Sequence, residues 1–352
     1  MNQAVRAIAV ALIFESVAVA KTAPPRLGTV HEQVRRAKKE LEAQPDQRSY
    51  RASPFSPTEI VERIHALESD AAWDGLCAEL ADLPDDELEL FEGEIRQPDH
   101  ARHLWCAATL LSRIAAHWRG AARAMAEQHA LPATVTLPSV AVAVDVTKPH
   151  VFGDGELPAG EIALTFDDGP HATRTPRILA ILAAAGIKAT FFEIGRNAAA
   201  APAVSRAVRA AGHTVGSHTF SHADLPKVTE AHAESEIEAG EAAVSLALGV
   251  QPRDLPFFRF PYGAKTPAEQ AFVERRGAST FGWNMDSEDW RIRDPHKLFV
   301  NVLAQLDHRQ GRGIILFHDI HEQTVIVLPH VLAELQARHL KAVVFVPSGE
   351  RP

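Results

Sequence analysis

Beyond residue 160, short apolar runs alternate with longer stretches in which apolar residues recur at helical spacing. The runs have the length of buried strands, and Gly186, Gly212 and Gly277 stand near the ends of helical stretches, where glycine commonly ends a helix. Strand alternating with helix predicts a parallel sheet built from right-handed crossovers. The predicted strands are residues 162–166, 190–194, 214–217, 257–260, 280–283, 314–317 and 343–346, and the predicted helices are residues 176–185, 202–211, 229–248, 267–276, 295–309 and 324–338.

Seven strand–helix units in residues 161–352 favour a deformed, seven-stranded (β/α) barrel over an open sheet, so the predicted fold class is α/β. Residues 131–160 carry valines at alternating positions and are expected to form connecting strands. No stretch beyond the first twenty residues reaches the length of a transmembrane helix.

Residues 58–130 show helical periodicity and predict a small all-helical accessory domain in front of the barrel. We expect Trp73, Trp105 and Trp118 in its interior, and no residue of this segment suggests catalysis or a particular partner. Residues 21–57 are polar and proline-rich, which predicts a linker. The helical spacing is carried by Ile60, Ile64 and Leu67, and by Leu104, Ala108, Leu111 and Ala115.

The first twenty residues resemble an export signal. Arg6 precedes an apolar stretch, and Ala18-Val19-Ala20 has the small-x-small pattern after which signal peptidases cut. Glu15 interrupts the apolar stretch, and an amphipathic helix of a cytoplasmic protein is the alternative. We therefore predict an exported protein, periplasmic or extracellular, that keeps no membrane span after cleavage.

Charge and cysteine content narrow the chemistry. Thirty-six basic and 45 acidic residues give a net charge of −9 without a long basic run, which argues against nucleic acid as a partner. Cys77 and Cys106 match no thiol–metal spacing, and they either pair or stay as buried thiols. Because no cysteine follows residue 130, any metal in the barrel needs oxygen and imidazole ligands.

The unusual polar residues of the barrel follow the strands at their carboxyl ends, where parallel barrels assemble their active sites. Two imidazoles and one carboxylate are a usual ligand set for a catalytic zinc, and a second carboxylate and a further histidine would supply a base and an acid. His218 and His222 would share one face if their segment were helical. The groups at this edge are Asp167 and Asp168, His218 and His222, Arg259 to Tyr262, Asp286 to Trp290, and His318 with Asp319.

These segments resemble the five motifs of the polysaccharide deacetylases (the NodB-homology family, carbohydrate esterase family four). The resemblance runs from about residue 151 to residue 346 and leaves residues 21–130 outside it. In chain order the motifs are Thr165-Phe166-Asp167-Asp168-Gly169, His218-Thr219-Phe220-Ser221-His222, Arg259-Phe260-Pro261-Tyr262, Asp286-Ser287-Glu288-Asp289-Trp290 and Leu316-Phe317-His318.

The resemblance implies a role for each motif. Asp168, His218 and His222 would hold one divalent metal, zinc first, with cobalt, manganese or nickel as alternatives. Asp167 would be the general base, oriented by Arg259, and His318 the general acid, oriented by Asp289. The backbone N–H of Tyr262 would stabilise the oxyanion, and the substrate would be bound by Pro261, Tyr262, Trp290 and Leu316.

The implied function is hydrolysis of N-acetyl groups on a polysaccharide. Peptidoglycan N-acetylglucosamine is the first expected substrate, followed by chitin oligosaccharides or an exopolysaccharide. The same residues would serve an O-acetyl esterase acting on xylan. A noncatalytic glycan-binding scaffold and a metal phosphoesterase are further alternatives. A scaffold needs neither Asp167 nor His318, and phosphoester chemistry usually employs a second metal.

Overall fold

The computed structural model describes residues 77–78, 80–83, 85–88, 91–96, 105–148, 150–153 and 157–349. They belong to two compact units, one with described residues up to 114 and one from residue 115 onward. The expected signal peptide and linker, and Trp73, lie outside the described residues. No helix in the described ranges has the length and apolar character needed to cross a membrane.

The first unit contains two short helices, α1 (Asp85–Leu88) and α2 (Glu92–Ile95), and the beginning of α3 (Ala107–Gln128). A disulfide joins Cys77 to Cys106, so the two cysteines pair and are not free thiols. Arg113 reaches from α3 to Asp85, with 2.7 Å between the guanidinium Nη2 and the carboxylate oxygen. The helical character predicted for this segment is therefore present wherever the structure describes it.

The buried face of α3 differs from the predicted one. Leu110, Ile114 and Trp118 are spaced by four residues and are buried, whereas Ala108 and Ala115 are exposed. Trp118 is buried, but the prediction for Trp105 is wrong, because its surface is 74% exposed. Trp105 precedes the first helical residue, so it is outside the repeat that aligns the buried face.

In the second unit, ten strands of the described residues form a sheet in which every pair is parallel. The order is β1-β10-β3-β4-β5-β6-β7-β2, with β9 on β3 and β8 on β9. The strands are β1 (Ser139–Asp145), β2 (Val151–Phe152), β3 (Glu161–Asp167), β4 (Thr190–Glu193), β5 (Thr214–Ser217), β6 (Phe257–Phe258), β7 (Ser279–Phe281), β8 (Met285–Asp286), β9 (Gly313–His318) and β10 (Lys341–Ser348).

Helices follow most strands, and together they confirm the α/β class and the predicted alternation. Hydrogen bonds between described strands do not close the barrel, since β1, β2 and β8 each pair with only one other described strand. The six predicted helices are present, and the additional α5 and β8 are too short to leave a periodic pattern. The helices are α4 (Arg174–Ala184), α5 (Gly195–Ala200), α6 (Pro202–Ala210), α7 (Glu230–Leu248), α8 (Pro267–Arg275), α9 (Pro295–His308) and α10 (Glu322–Ala337).

Strand β3 is the central strand because β9 pairs with one edge while β10 and β4 share the other. Side chains alternate between faces along a strand, so Ala163, Thr165 and Asp167 share the inner face. Ala163 packs in the inner core with Phe192 and Phe345. The strand therefore runs from an apolar core to a carboxylate at its carboxyl end.

Helix α7 packs closely against the segment that follows β5. Gly240 lies so near the backbone of Thr219 that a Cβ atom on Gly240 would overlap it. The side chain of Glu236, one turn earlier, accepts hydrogen bonds from the backbone N–H and the hydroxyl of Ser221, at 2.8 and 2.9 Å. The geometry of the His218–His222 segment thus depends on glycine at this position in α7.

We predict that Gly240→Ala destabilises the protein by about 1–3 kcal/mol, because the added methyl meets backbone that cannot move freely. Gly120→Ala is the matched control: Gly120 is a helical, exposed glycine with no atom near the added Cβ. It should stabilise the protein by about 0.5–1 kcal/mol. Denaturant unfolding measures both, and equal effects of the two substitutions would contradict the close packing of α7.

Candidate active site

Three potential metal ligands meet at the carboxyl ends of β3 and β5. Asp168 directly follows β3, His218 directly follows β5, and His222 lies four residues further on. Oδ1 of Asp168 is 3.6 Å from Nε2 of His218 and 3.3 Å from Nε2 of His222. One donor atom from each side chain lies within 4.8 Å of the others, which is close enough for a single ion to bind all three.

His218 and His222 meet through a loop, and the helical arrangement considered from the sequence is not present. Thr219 and His222 have positive φ angles of 64° and 68°, and these turn the chain back on itself. The Thr219 hydroxyl accepts a hydrogen bond from the backbone N–H of His222 at 3.1 Å. The two imidazole centroids are therefore only 4.9 Å apart.

The protonation states of the three side chains suit a divalent metal. Nδ1 of His218 lies 2.8 Å from the carbonyl oxygen of Arg259, which can only accept, so this nitrogen donates and Nε2 keeps its lone pair. Burial lowers the pKa of His218 to about 3 and also lowers the pKa of His222, so both imidazoles are neutral at pH 7.

Asp168 completes the set. Burial alone would raise its pKa, but the interactions with His222, His318 and His218 outweigh burial and lower the pKa to about 2. Its Oδ1 atom is enclosed and has no hydrogen-bond partner among the described residues. An ionised carboxylate oxygen is costly to bury alone, and a bound cation would remove that cost. The residues therefore fit a divalent metal ion.

Asp167, the neighbouring carboxylate, belongs to a different network. Nη1 of Arg259 donates to Oδ1 of Asp167 at 2.7 Å and to the hydroxyl of Thr165 at 2.8 Å. Burial raises the pKa of Asp167 to about 6 against the charge of Arg259, which lowers it. Asp167 is thus ionised at neutral pH and takes up a proton more readily than an ordinary aspartate.

Arg259 is fully buried and yet has partners for each part of its guanidinium. Nε donates to the carbonyl oxygen of Phe281 at 3.1 Å, and Nη2 donates to that of Gly282 at 3.0 Å. The guanidinium carbon lies 4.2 Å from the centroid of the Phe192 ring, within cation–π distance. Arg259 therefore joins β3, β4 and β7 around Asp167.

His318 ends β9, and its backbone is paired with Asp167 in the strand register. Its Nδ1 lies 2.6 Å from Oδ1 of Asp289, while its backbone N–H donates to Oδ2 of Asp289 at 2.8 Å. Burial lowers the pKa of His318, but the charge and hydrogen bond of Asp289 outweigh it and raise the pKa to about 10. His318 is therefore an imidazolium at neutral pH.

Asp289 is held in turn by α10. The hydroxyl of Thr324 donates to its Oδ2 at 2.5 Å, and the amide of Gln323 donates to its backbone carbonyl at 2.6 Å. Burial would raise the pKa of Asp289, but the charge and hydrogen bond of His318, together with the hydrogen bond of Thr324, lower it. The orientation of His318 thus depends, through Asp289, on two residues of α10. Both lie after the last of the five motifs in the sequence.

The residues expected to bind substrate lie around this cluster. Tyr262 has a φ of 59°, and its ring packs edge-on against His222 with centroids 4.5 Å apart. Pro261 and Leu316 are buried, and Trp290 is half-buried. The strand register places Leu316 opposite Thr165, on the inner face of β9. The structure therefore brings residues of all five motifs to one edge of the sheet.

The sequence analysis missed the positioning residue Asn197, and it placed Asp319 at this edge without assigning it a role. Asn197 on α5 donates through its amide to the carbonyl oxygen of Asp168 at 2.7 Å. Asp319 is buried, accepts a hydrogen bond from the Thr175 hydroxyl, and packs so closely on Gly169 that no Cβ fits there. Both follow a strand at its carboxyl end, which is the signal that could have revealed them.

Three potential metal ligands lie beside a buried carboxylate, Asp167, and a buried imidazolium, His318, at the carboxyl ends of parallel strands. This arrangement suits a metal-dependent hydrolase. Residues 154–279 match the family model of polysaccharide deacetylases. The sequence is 32% identical over 191 residues to a chitooligosaccharide deacetylase of Azorhizobium caulinodans, covering 50% of this chain and 89% of that protein. The chain belongs to the polysaccharide deacetylase family.

Other relatives share different portions of the chain. The peptidoglycan-N-acetylglucosamine deacetylase PgdA of Listeria monocytogenes is 34% identical over 177 residues, covering 50% of this chain and 36% of that enzyme. The match thus spans little more than a third of the Listeria relative. A solved peptidoglycan deacetylase of Bdellovibrio bacteriovorus superposes with a TM-score of 0.79 at 28% identity, covering 92% of this chain and 98% of that one.

We predict that zinc raises the melting temperature of the protein, because an ion that binds only the folded state stabilises it by about 2.7 kcal/mol at one hundred times its dissociation constant. Asp168→Ala should lose this response, since it removes a ligand. Asp167→Asn is the matched control and should keep it, because the shape is preserved and no ligand is lost. Thermal unfolding with and without zinc tests this. A response retained by Asp168→Ala and lost in Asp167→Asn would reverse the two assignments.

Proposed function

We propose that the protein is a metal-dependent deacetylase that hydrolyses N-acetyl groups on a glycan, with peptidoglycan N-acetylglucosamine as its first substrate. The observation that supports this most directly is that Asp167 and His318 both lie beside the candidate metal ligands. Asp167 is ionised and His318 is protonated at neutral pH, so the site holds a base and an acid together. Amide hydrolysis requires both.

Asp168, His218 and His222 would hold the metal, and zinc is our first assignment because imidazole and carboxylate ligands suit it. A metal bound there supplies Lewis acidity, which polarises the substrate carbonyl and lowers the pKa of water. Asp167 lies beside this position, with its Oδ2 atom 3.7 Å from Nε2 of His218. Its carboxylate accepts the proton of the attacking water, and Arg259 keeps the carboxylate in place.

Two further groups act on the substrate itself. The backbone N–H of Tyr262 donates to the carbonyl oxygen as negative charge develops on it. His318 gives its proton to the departing nitrogen, and Asp289 stabilises the imidazolium that does so. Leu316 and Trp290 form an apolar wall for the acetyl methyl group. These roles assign one task to each of the residues at this edge.

The protonated state of His318 favours an N-acetyl over an O-acetyl substrate. An amine is a far poorer leaving group than an alcohol unless it is protonated as it departs. A histidine whose pKa is raised to about 10 is kept ready for that task. Peptidoglycan is placed before chitin because a peptidoglycan deacetylase matches nearly the whole length of this chain in structure.

We also propose that the protein is exported. The apolar stretch and Ala18-Val19-Ala20 indicate a cleavable signal, and the Cys77–Cys106 disulfide suits an oxidising compartment. Residues 58–130 would then form an accessory domain of an envelope enzyme. N-terminal sequencing of the protein from the cell envelope should start at Lys21; an intact chain confined to the cytoplasm would contradict export.

The proposed function predicts that Asp167→Asn lowers kcat by about 10²–10⁴, the usual contribution of a positioned general base. Its KM should change little, because the base acts mainly in the transition state. Acetate release from N-acetylated oligosaccharides, measured on zinc-loaded protein of known metal content, tests this. A variant with full metal content and near-normal kcat would exclude Asp167 as the base.

A second prediction concerns pH. Activity requires protonated His318 and is lost as the pH rises through its pKa. Asp289→Asn removes the charge that raises this pKa, so the alkaline limb of the kcat profile should move to lower pH by about 1–3 units. Asp294→Asn, at the exposed start of α9, is the control and should leave the limb in place. An unmoved limb in Asp289→Asn would show that another group donates the proton.

A further inference from the structure

The segment Gly195-Arg196-Asn197 is hydrogen-bonded to both chain segments that carry the candidate metal ligands. The backbone N–H of Gly195 donates to the carbonyl oxygen of Thr219 at 2.9 Å, and that of Arg196 donates to Phe220 at 3.0 Å. These acceptors lie between His218 and His222. With the hydrogen bond from Asn197 to Asp168, three contacts fix the backbone of Arg196 beside the ligands.

The side chain of Arg196 points outward from this fixed position. It is exposed and makes no hydrogen bond or ion pair with any residue that the structure describes. Other arginines near this edge have acidic partners: Arg259 pairs with Asp167, and Arg291 pairs with Glu288. The nearby carboxylate of Asp224 pairs with Lys227 at 2.6 Å. The backbone of Arg196 is thus fixed beside the candidate metal ligands, and its guanidinium is available to contact a substrate.

The positive charge of Arg196 affects the pKa values of two residues of the candidate active site. Burial is the main reason why the pKa of His222 is lowered, and the positive charge of Arg196 lowers it further. Burial raises the pKa of Tyr262 to about 12, and Arg196 acts against that rise. Arg196 is therefore within electrostatic range of a candidate metal ligand and of a residue expected to bind substrate.

We propose that Arg196 is a specificity-determining residue that binds a carboxylate carried by the glycan beside the reacting acetamide. This inference depends on the proposed deacetylase function and adds a substrate class to it. The guanidinium presents two parallel N–H donors that match a carboxylate. A neutral chitin chain offers no such partner. In peptidoglycan, a muramic acid without a stem peptide has a free lactyl carboxylate. Where a stem peptide is attached, that carboxyl group forms the amide bond to the peptide, and the peptide supplies the carboxylates.

The test compares glycan substrates with and without a free carboxylate. One is a tetrasaccharide of alternating N-acetylglucosamine and N-acetylmuramic acid with free lactyl carboxylates, and the second has those carboxylates converted to primary amides. A third carries stem peptides. Wild-type protein, Arg196→Gln and the control Arg209→Gln, an exposed arginine on α6, are loaded with zinc, and kcat and KM are measured for each.

We expect the wild type to prefer the carboxylate substrate to its amide by about tenfold in kcat/KM, mainly through KM, as for a charge-assisted contact at an exposed site. The preference should shrink as salt is added. Arg196→Gln should bring the ratio close to one, whereas Arg209→Gln should keep the wild-type ratio. A preference confined to the peptide-bearing substrate would identify the stem peptide as the source of the carboxylate and would also support the proposal.

Equal kcat/KM of the wild type on all charged and amidated forms would overturn the role of Arg196, as would a preference that survives Arg196→Gln. Either result leaves the deacetylase function standing, since acetate would still be released. Failure of the proposed function is a different outcome, in which zinc-loaded wild type releases no acetate from any of the three substrates.

Discussion

The buried ion pair between Arg259 and Asp167 is the interaction on which the rest of the site depends. Arg259 is fully enclosed, so its charge must be matched where it lies, and Asp167 matches it at 2.7 Å. The guanidinium also binds two carbonyl oxygens near β7, and the carbonyl of Arg259 itself accepts from His218. One residue therefore orients the proposed base, one candidate metal ligand and the strands between them.

Chemically similar side chains of this site have different pKa values, because their buried surroundings differ. Asp167 and Asp168 are neighbours, yet burial raises the pKa of the first to about 6, while nearby histidines lower that of the second to about 2. The pKa values of His218 and His318 also differ, at about 3 and about 10, because only the ring of His318 is hydrogen-bonded to a buried aspartate. The same two residue types would thus supply the proposed ligands, base and acid.

Much of the barrel could be predicted because apolar periodicity directly reports which strand and helix faces are buried. The strand that ends at Asp167 and the helices that follow each strand were found in this way. Strand β8 could not be predicted, since two residues are too few to show a hydrophobic period. The buried face of α3 was misjudged because helical spacing alone allows more than one face, and the exposed Trp105 lies outside the repeat.

The candidate site was predictable as a set of residues, and less so as a geometry. Polar residues at strand ends identified the motifs, but the loop between His218 and His222 depends on positive φ angles and on Gly240 in α7, which local pattern does not reveal. For a similar reason Asn197 was missed and Asp319 was given no role. Each acts through one long-range contact, to Asp168 or to Thr175, and such contacts leave no trace in spacing.

The proposed activity of this site is the removal of acetyl groups from an N-acetylated glycan with the help of a bound metal. Its most direct test is mass spectrometry of purified peptidoglycan fragments and chitooligosaccharides after incubation with the protein. We expect products that have lost whole acetyl units, no such products after chelation, and their return when zinc is restored. Intact substrates after incubation with protein shown to be folded and zinc-loaded would contradict it.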